Sequence, residues 1–278
     1  MTAATVARLP DGRLHLQHGP IDIVARAWGS ASAVAEAKRR AVARFGSVLA
    51  ELVAELPILR CEGGTPFGAI ACDMAQATLP FAPLFITPMA AVAGAVADAV
   101  LAELAVPGIT RAFVNNGGDI AMHLDPGESL TCVIAARPGL PDRVTVRAED
   151  PVRGIATSGW RGRSWSFGIA DSVTVLARTA AMADAAATMI ANAVNLPDHP
   201  GILRRPAHDL QTDSDLGRRL VTVGVAGLDA ADIAHALASG EKSAHAFRNR
   251  GLIEAAAIFL HPEMRTLGPL ALKEPALV

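Results

Sequence analysis

The stretch that most constrains this chain runs from Ser172 to Val194, SVTVLARTAAMADAAATMIANAV. It opens with alternating β-branched residues, which suit a pleated strand. From about Thr179 it becomes a run of alanine and methionine, the composition of a helix. On that helix Asp184, Thr188 and Asn192 recur every four residues and share one stripe. Met182, Met189, Ile190 and Ala193 fall roughly opposite. A surface helix would carry Lys, Glu and Arg opposite its apolar face, yet Asp184 is the only charge between Thr179 and Val194. The sequence therefore predicts a helix buried nearly all round, with a carboxylate, a hydroxyl and an amide turned inward. A buried carboxylate needs a cation, several donors or its own proton. Two readings follow. One is an internal polar network that caps a neighbouring loop. The other is a hard-metal site, because carboxylate and hydroxyl oxygens suit Mg²⁺ or Ca²⁺ better than Zn²⁺.

With 278 residues, 51% hydrophobic and 19% charged, the chain can build one large core or two intimately packed halves, with a boundary near 125–150. A net charge of −2 leaves no basic excess for phosphate backbones, and aromatics at 4% with no tyrosine offer few stacking platforms. Nucleic acid is not an expected partner. Cys61, Cys72 and Cys132 form no CxxC pair and are expected as reduced thiols of a cytoplasmic protein. The opening residues MTAATVARLPDGRLHLQHG lack the apolar segment of an export leader. Apolar runs elsewhere are broken by Pro, Gly or charge short of a membrane span, so no membrane partner is expected. So apolar a chain is also suited to forming a homo-oligomer.

Residues 13–27 read as two strands joined at Gly19-Pro20. Ser30 is placed to cap a helix running to about Leu56, with Lys38, Arg39 and Arg40 on its wet side. Residues 57–86 are rich in Pro and Gly, and within them CEGGTPFGAIACDM reads as a surface loop or, alternatively, as a Gly-Gly-Thr-Pro turn that approaches a ligand. Pro88 opens a second alanine-rich helix, ended by Pro107-Gly108, whose Ala90, Ala93, Gly94 and Ala97 would let a backbone or a ligand come close. ITRAFVNNGGDIAMHL then reads as strand, turn, strand, with Asn116, Gly117, Gly118 and Asp119 as the turn. That turn is either an ordinary hairpin or one whose amides bind phosphate while Asp119 orients a sugar or metal.

Strand patterns follow at 129–136 and 143–148. In GIATSGWRGRSWSFGIAD, Ser158-Gly159 is either part of an exposed loop or an anion-binding turn beside Arg161 and Arg163. Trp160, Trp165 and Phe167 are the candidates for stacking on a ring. Beyond Val194, a loop carries His199 and His208 at a spacing that matches no zinc pattern. RRLVTVGVAG reads as a strand, and Asp229 caps a helix closed by Gly240. A second short helix with His245 and a last strand, LIEAAAIFL, precede a tail. Antiparallel-looking strands with interspersed helices predict an α+β fold, antiparallel sheets packed with long alanine-rich helices. No GxGxxG or P-loop pattern stands in a strand–helix setting.

Three segments, in this order, resemble the ApbE-type FAD:protein FMN transferases. RAFVNNGGDIAMHL resembles that family's NxGGDI segment, IATSGW its TSG segment, and SVTVLARTAAMADAAAT its SVTV strand and ADALAT helix. MAAVAGAVADAV stands where the family has its GxAKGyavD helix. The similarity covers about residues 87–195 and is greatest to the family's uncharacterised cytoplasmic offshoot, which carries PMAAVAG and GxADSVTV. The resemblance implies a single domain over 1–278 with the T-fold-like ApbE arrangement. It implies Mg²⁺, or alternatively Ca²⁺, at Asp184 and Thr188, with FAD as ligand or substrate and its diphosphate on the metal. Asn116, Gly117, Gly118 and Asp119 would lie along the nucleotide, and Ser158 and Gly159 would form the TSG contact. Asp171 would match the aspartate of the family's HxxDPxTG segment. The implied chemistry is metal-assisted passage of FMN to a Ser or Thr hydroxyl of an acceptor protein, or to water. Two departures stand out. Ala93 replaces the family's lysine, and Gly168 replaces its histidine. They give weight to the alternative, a non-catalytic flavin- or metabolite-binding protein.

Overall fold

The computed structural model describes residues 3–137 and 140–269. In chain order its elements are β1 (Thr5–Arg8), β2 (Leu14–His18), β3 (Ile21–Gly29), α1 (Ala31–Ala54), α2 (Leu56–Leu59), α3 (Ala69–Thr78), α4 (Val92–Leu104), β4 (Ile109–Asn116) and β5 (Asp119–Leu124). There follow β6 (Ser129–Arg137), β7 (Leu140–Arg147), β8 (Gly154–Ser158), β9 (Ser172–Ala177), α5 (Ala180–Ala193), β10 (Ile202–Pro206) and α6 (Ala207–Leu210). The last are β11 (Leu220–Val225), α7 (Ala230–Asn249), β12 (Ala255–Leu260) and β13 (Glu263–Leu267). These make two compact units. The first comprises Met1–Leu130, Val146–Ala156 and Ala177–Asp184; the second comprises Thr131–Thr145, Thr157–Leu176 and Ala185–Val278.

In the first unit, strands pair antiparallel in the order β1-β2-β3-β4-β5-β8. Alternation sets the inner face: Leu14, Leu16, Ile21, Ile23, Ala25 and Ala27 are buried along β2 and β3. The β2–β3 hairpin turns at Gly19-Pro20, as expected, with Gly19 at φ +57°. The hydroxyl of Ser30 accepts from the Ala33 amide at 3.3 Å and caps α1. That helix buries Ala37, Ala41, Phe45, Val48 and Leu52 and packs on β2, β3 and α4. Burial of Phe45 alone stabilises by about 2–3 kcal/mol. The basic face is only partly solvated. Arg39 pairs with Glu36 and Arg40 with Glu103, but Lys38 donates to the Gly12 carbonyl at 2.9 Å.

Two elements of this unit depart from the sequence reading. β1 is an additional strand, exposed along its length. Within the expected loop 57–86 the chain forms α3, and the Glu55 carboxylate accepts the amides of Phe67 and Gly68, just ahead of the helix, at 2.5 and 2.7 Å. This acceptor precedes the helix by more than a dozen positions, outside the reach of any local sequence pattern. Pro88 does open the second alanine-rich segment, first as a 3₁₀ turn over Pro88–Ala91 and then as α4.

In the second unit β9, β12 and β13 pair antiparallel, with Val173 opposite Ile258 and Val175 opposite Ala256. Helix α7 packs on β12 and β13. Asp229 and Asp232 form a reciprocal capping box at its start. Gly240 does not close this helix, which runs through it to Asn249 as one element that also contains His245. A Cβ at Gly240 would lie 2.3 Å from Val194 Cγ2, so the glycine serves close packing rather than termination. The loop expected after Val194 contains β10 and α6, with β10 paired to β11. His199 contacts Asp232 at 3.1 Å and accepts the Gly201 amide at 3.1 Å, a local structural role. Beyond β12 the chain forms β13 where a tail was expected; residues 270–278 lie outside the described residues.

The expected α+β class, with antiparallel sheets and alanine-rich helices, is what the chain adopts. Cys61, Cys72 and Cys132 are free thiols. Among the described residues, no helix is long and apolar enough to cross a membrane.

Candidate functional site

The first unit brings Asp184, Asn116 and Asp119 together with a residue the sequence reading left out, Asp98. On α4, Gly94 and Asp98 stand one turn apart; on α5, Ala180 and Asp184 do the same. Asp98 accepts the Ala180 amide through Oδ1 at 3.1 Å and the Ala181 amide through Oδ2 at 2.9 Å. In the reverse direction, Asp184 Oδ2 accepts the Gly94 amide at 3.0 Å, and the Ala93 amide also bonds this carboxylate. These are first-turn amides that have no partner within their own helix. Close approach requires glycine at 94, where a Cβ would lie 2.3 Å from the Ala180 carbonyl oxygen.

Buried Asn116 donates from Nδ2 to the Ala93 carbonyl at 3.0 Å, which ties the β4–β5 turn to the start of α4. Across that turn Asn116 pairs with Asp119, and Gly117 and Gly118 take φ of +65° and +119°. Their amides donate within the protein, Gly117 to the Asp22 carbonyl at 3.2 Å and Gly118 to Asn115 Oδ1 at 2.8 Å.

Burial is the largest influence on Asp184 and raises its carboxyl well above the ordinary range; the charge of Asp119 pushes the same way. The Gly94 and Ala93 amides oppose that rise, and Asp98 adds a smaller upward push. No cationic side chain is among these groups. Asp98 is raised to about 6, by burial first, against the opposing Ala181 and Ala180 amides and with a contribution from Asp73.

Around α5, the positions flanking Asp184 and Thr188 are buried, while Asp184, Thr188 and Asn192 themselves are half-buried. The helix is thus enclosed nearly all round, as predicted, but its polar stripe keeps some solvent contact instead of lying fully inside. Alanines on the remaining faces permit that close enclosure. Asn192, in the second unit, accepts from Ser166 Oγ at 3.1 Å and from the Phe167 amide at 2.9 Å. At this residue the loop-capping reading holds.

Asp171 anchors the other group, also within the second unit. Its Oδ1 accepts from Arg161 Nε at 2.8 Å and from Trp160 Nε1 at 3.3 Å, and its Oδ2 from the His261 amide at 2.9 Å. The Arg161 guanidinium lies 4.7 Å over the Trp160 ring, so this stacking candidate already has a cation on it. Gly159 is buried where a Cβ would lie 2.4 Å from the Asp171 carbonyl oxygen; Ser158 ends β8 half-buried. At Gly168 a Cβ would lie 2.0 Å from the Ala191 carbonyl oxygen and 2.7 Å from that of Val194. No side chain fits there.

Among the described residues, no three or more His, Cys, Asp or Glu side chains are grouped to hold a metal ion. A cation at Asp184 would therefore draw on hydroxyl, carbonyl and water oxygens as well, the ligand set that Mg²⁺ accepts. The crowded Asp184 carboxylate, faced by Asp119 without a cation, fits such an ion.

Fold and site together define an α+β protein whose central acidic group is carried on an enclosed alanine-rich helix. Residues 6–266 match the family model described as AbpE bacteria, and the chain belongs to this ApbE-like family. A UPF0280 protein of Methanospirillum hungatei is 36% identical over 126 residues, covering 44% of this chain and 51% of that protein. A UPF0280 protein of Methanothermobacter thermautotrophicus is 41% identical over 125 residues, covering 41% and 44%. The chain spans about half the length of the curated relatives it matches. Among solved structures, the apo flavinyl transferase ApbE of Pseudomonas stutzeri aligns with 96% of this chain and 95% of its own, at 13% identity and a TM-score of 0.41. The flavin transferase ApbE of Vibrio cholerae aligns with 87% and 76%, at 14% identity and a TM-score of 0.36.

Proposed function

We propose that this chain binds a flavin nucleotide, with FAD the first candidate, through a divalent cation held at Asp184. The observation that carries the reading is the setting of that carboxylate: it accepts the Gly94 amide at 3.0 Å, lies near the buried Asp119, and among the described residues forms no ion pair with a cationic side chain. Two neighbouring carboxylates resist ionising together, and a divalent cation held by Asp184 would relieve the conflict. Family membership and the motif resemblance over residues 87–195 support the same ligand. Thr188, one turn beyond Asp184, would add a hydroxyl oxygen. Mg²⁺ suits this oxygen set, with Ca²⁺ the alternative, and when bound it would offset the charge of the diphosphate. The turn Asn116–Asp119 would lie along the nucleotide. Free thiols at all three cysteines fit a cytoplasmic setting for this activity.

The reaction in view is passage of FMN to a Ser or Thr hydroxyl of an acceptor protein or to water, with AMP leaving. A second reading, binding without turnover, is favoured by one specific observation. Gly168 stands where the resemblance calls for a histidine, and the backbone of Ala191 and Val194 leaves no room for an imidazole. Ala93 likewise offers no ammonium group.

Calorimetric titration of FAD with and without Mg²⁺, into the protein and into Asp184→Ala, tests the proposal. Mg²⁺-dependent binding that the variant loses supports it, and release of FMN or AMP then separates enzyme from binder. No binding to either protein leaves a likeness of fold alone.

A further inference from the structure

We infer that Asp98 is a positioning residue for the Asp184 site, fixing through α5 where the Asp184 carboxylate stands against the Gly94 amide. The inference rests on the cation proposed at Asp184. Helix α5 already has a local cap: Thr179 Oγ1 accepts the Met182 amide at 3.2 Å, and the Thr179 carbonyl accepts the Ala183 amide at 3.1 Å. Asp98 is therefore not needed to start the helix. What its bonds to Ala180 and Ala181 add is a tie between α5 and α4.

A second tie runs the other way, from Asp184 to Gly94. Asp98 lies one turn after Gly94, and Asp184 one turn after Ala180, so the two ties close a ring through both helices. Turning or sliding α5 moves Asp184 only if the Asp98 bonds stretch or break. The close approach of Gly94 to the Ala180 carbonyl blocks the compensating shift. A cation site that takes few ligands from the protein depends on how firmly each one is held, and loss of an orienting partner typically weakens metal affinity 10–100-fold, by about that order.

The test is Mn²⁺ titration of the full chain, followed by the EPR signal of free Mn²⁺, with Mn²⁺ standing in for Mg²⁺. Asp98→Asn retains one acceptor without the charge, whereas Asp98→Glu retains the charge but displaces the acceptor pair. Both are expected to weaken Mn²⁺ binding by about tenfold or more. Asp184→Ala should abolish saturable binding. Asp229→Ala removes the cap of α7 and lowers Tm without changing Mn²⁺ affinity, so it controls for general loss of stability. Unchanged affinity in Asp98→Glu overturns the positional role and leaves charge alone as the effect. Unchanged affinity in both Asp98 variants, with Asp184→Ala inactive in binding, overturns the inference but keeps the cation at Asp184. No saturable Mn²⁺ binding by the unaltered protein overturns both.

Discussion

Asp184 in the first unit and Asp171 in the second are both partly enclosed aspartates that the sequence marks out, yet the protein treats them in opposite ways. Asp171 is answered from within its own unit by a guanidinium, an indole N–H and a backbone amide. Asp184 receives backbone amides and faces other carboxylates, with no cationic side chain among the described groups that act on it. A carboxylate whose charge is met by neighbouring donors holds structure together. One left with repelling neighbours in an enclosed place has a use for something brought from outside. The same contrast runs along α5 itself, where Asn192 is spent on the 166–167 loop while burial and Asp119 push the Asp184 carboxyl upward.

The sharpest way to break this contrast is Asp184→Ala. Mg²⁺-dependent FAD affinity should fall about 100-fold or more, equivalent to about 2.7 kcal/mol. Metal-free thermal stability should change little, because relief of a repelled, enclosed carboxylate is offset by the Gly94 and Ala93 amides left without their acceptor. A collapse in Tm would make Asp184 structural, like Asp171. Next in size, Asp171→Ala leaves three donors without their acceptor and should cost about 2–3 kcal/mol in urea unfolding. Retention of full stability would remove the distinction between the two aspartates.

A comparable shift is expected from pH through Asp98. Burial raises this carboxyl from 3.8 to about 6, so the folded chain holds its proton more tightly than the unfolded chain. Its stabilising contribution is complete below about pH 4 and is lost as pH rises through about 6. Stability measured across that window should decline by on the order of 2 kcal/mol relative to Asp98→Asn, which lacks the titration. Parallel pH profiles for the two proteins would contradict this assignment. The smallest effect is that of Asn192→Ala, about 1 kcal/mol from the lost loop bonds, with Mn²⁺ affinity unchanged. A drop in that affinity would extend the metal site along the stripe.

Local features were the legible ones. The strand and helix of 172–194, the Gly19-Pro20 and Gly117-Gly118 hairpins and the Ser30 cap each depend on residues within a turn or two of one another. Elements settled by remote contacts were not legible. The segment leading into α3 is held by Glu55, and Gly240 lies inside α7, packed close against Val194, instead of ending the helix. In the site, Asp184 is legible as the lone charge on an alanine helix; Asp98 carries the same signal, the only charge between Pro88 and Leu101, but what it bonds is set by residues remote in sequence. Its partners lie 82 and 83 residues further along the chain.

Composition and spacing by themselves determined that α5 would be enclosed, that it would carry one charge, and that Asp184, Thr188 and Asn192 would share a stripe. Helical periodicity and residue size are sufficient for that. Tertiary structure alone decided how each polar group is answered: Asn192 by a loop, Asp171 by a guanidinium, Asp184 by the amides of α4 and the charge of Asp119. The physical reason is range. Helix and hairpin preferences act between neighbours in sequence, but the cost or benefit of a buried charge depends on every group folded around it.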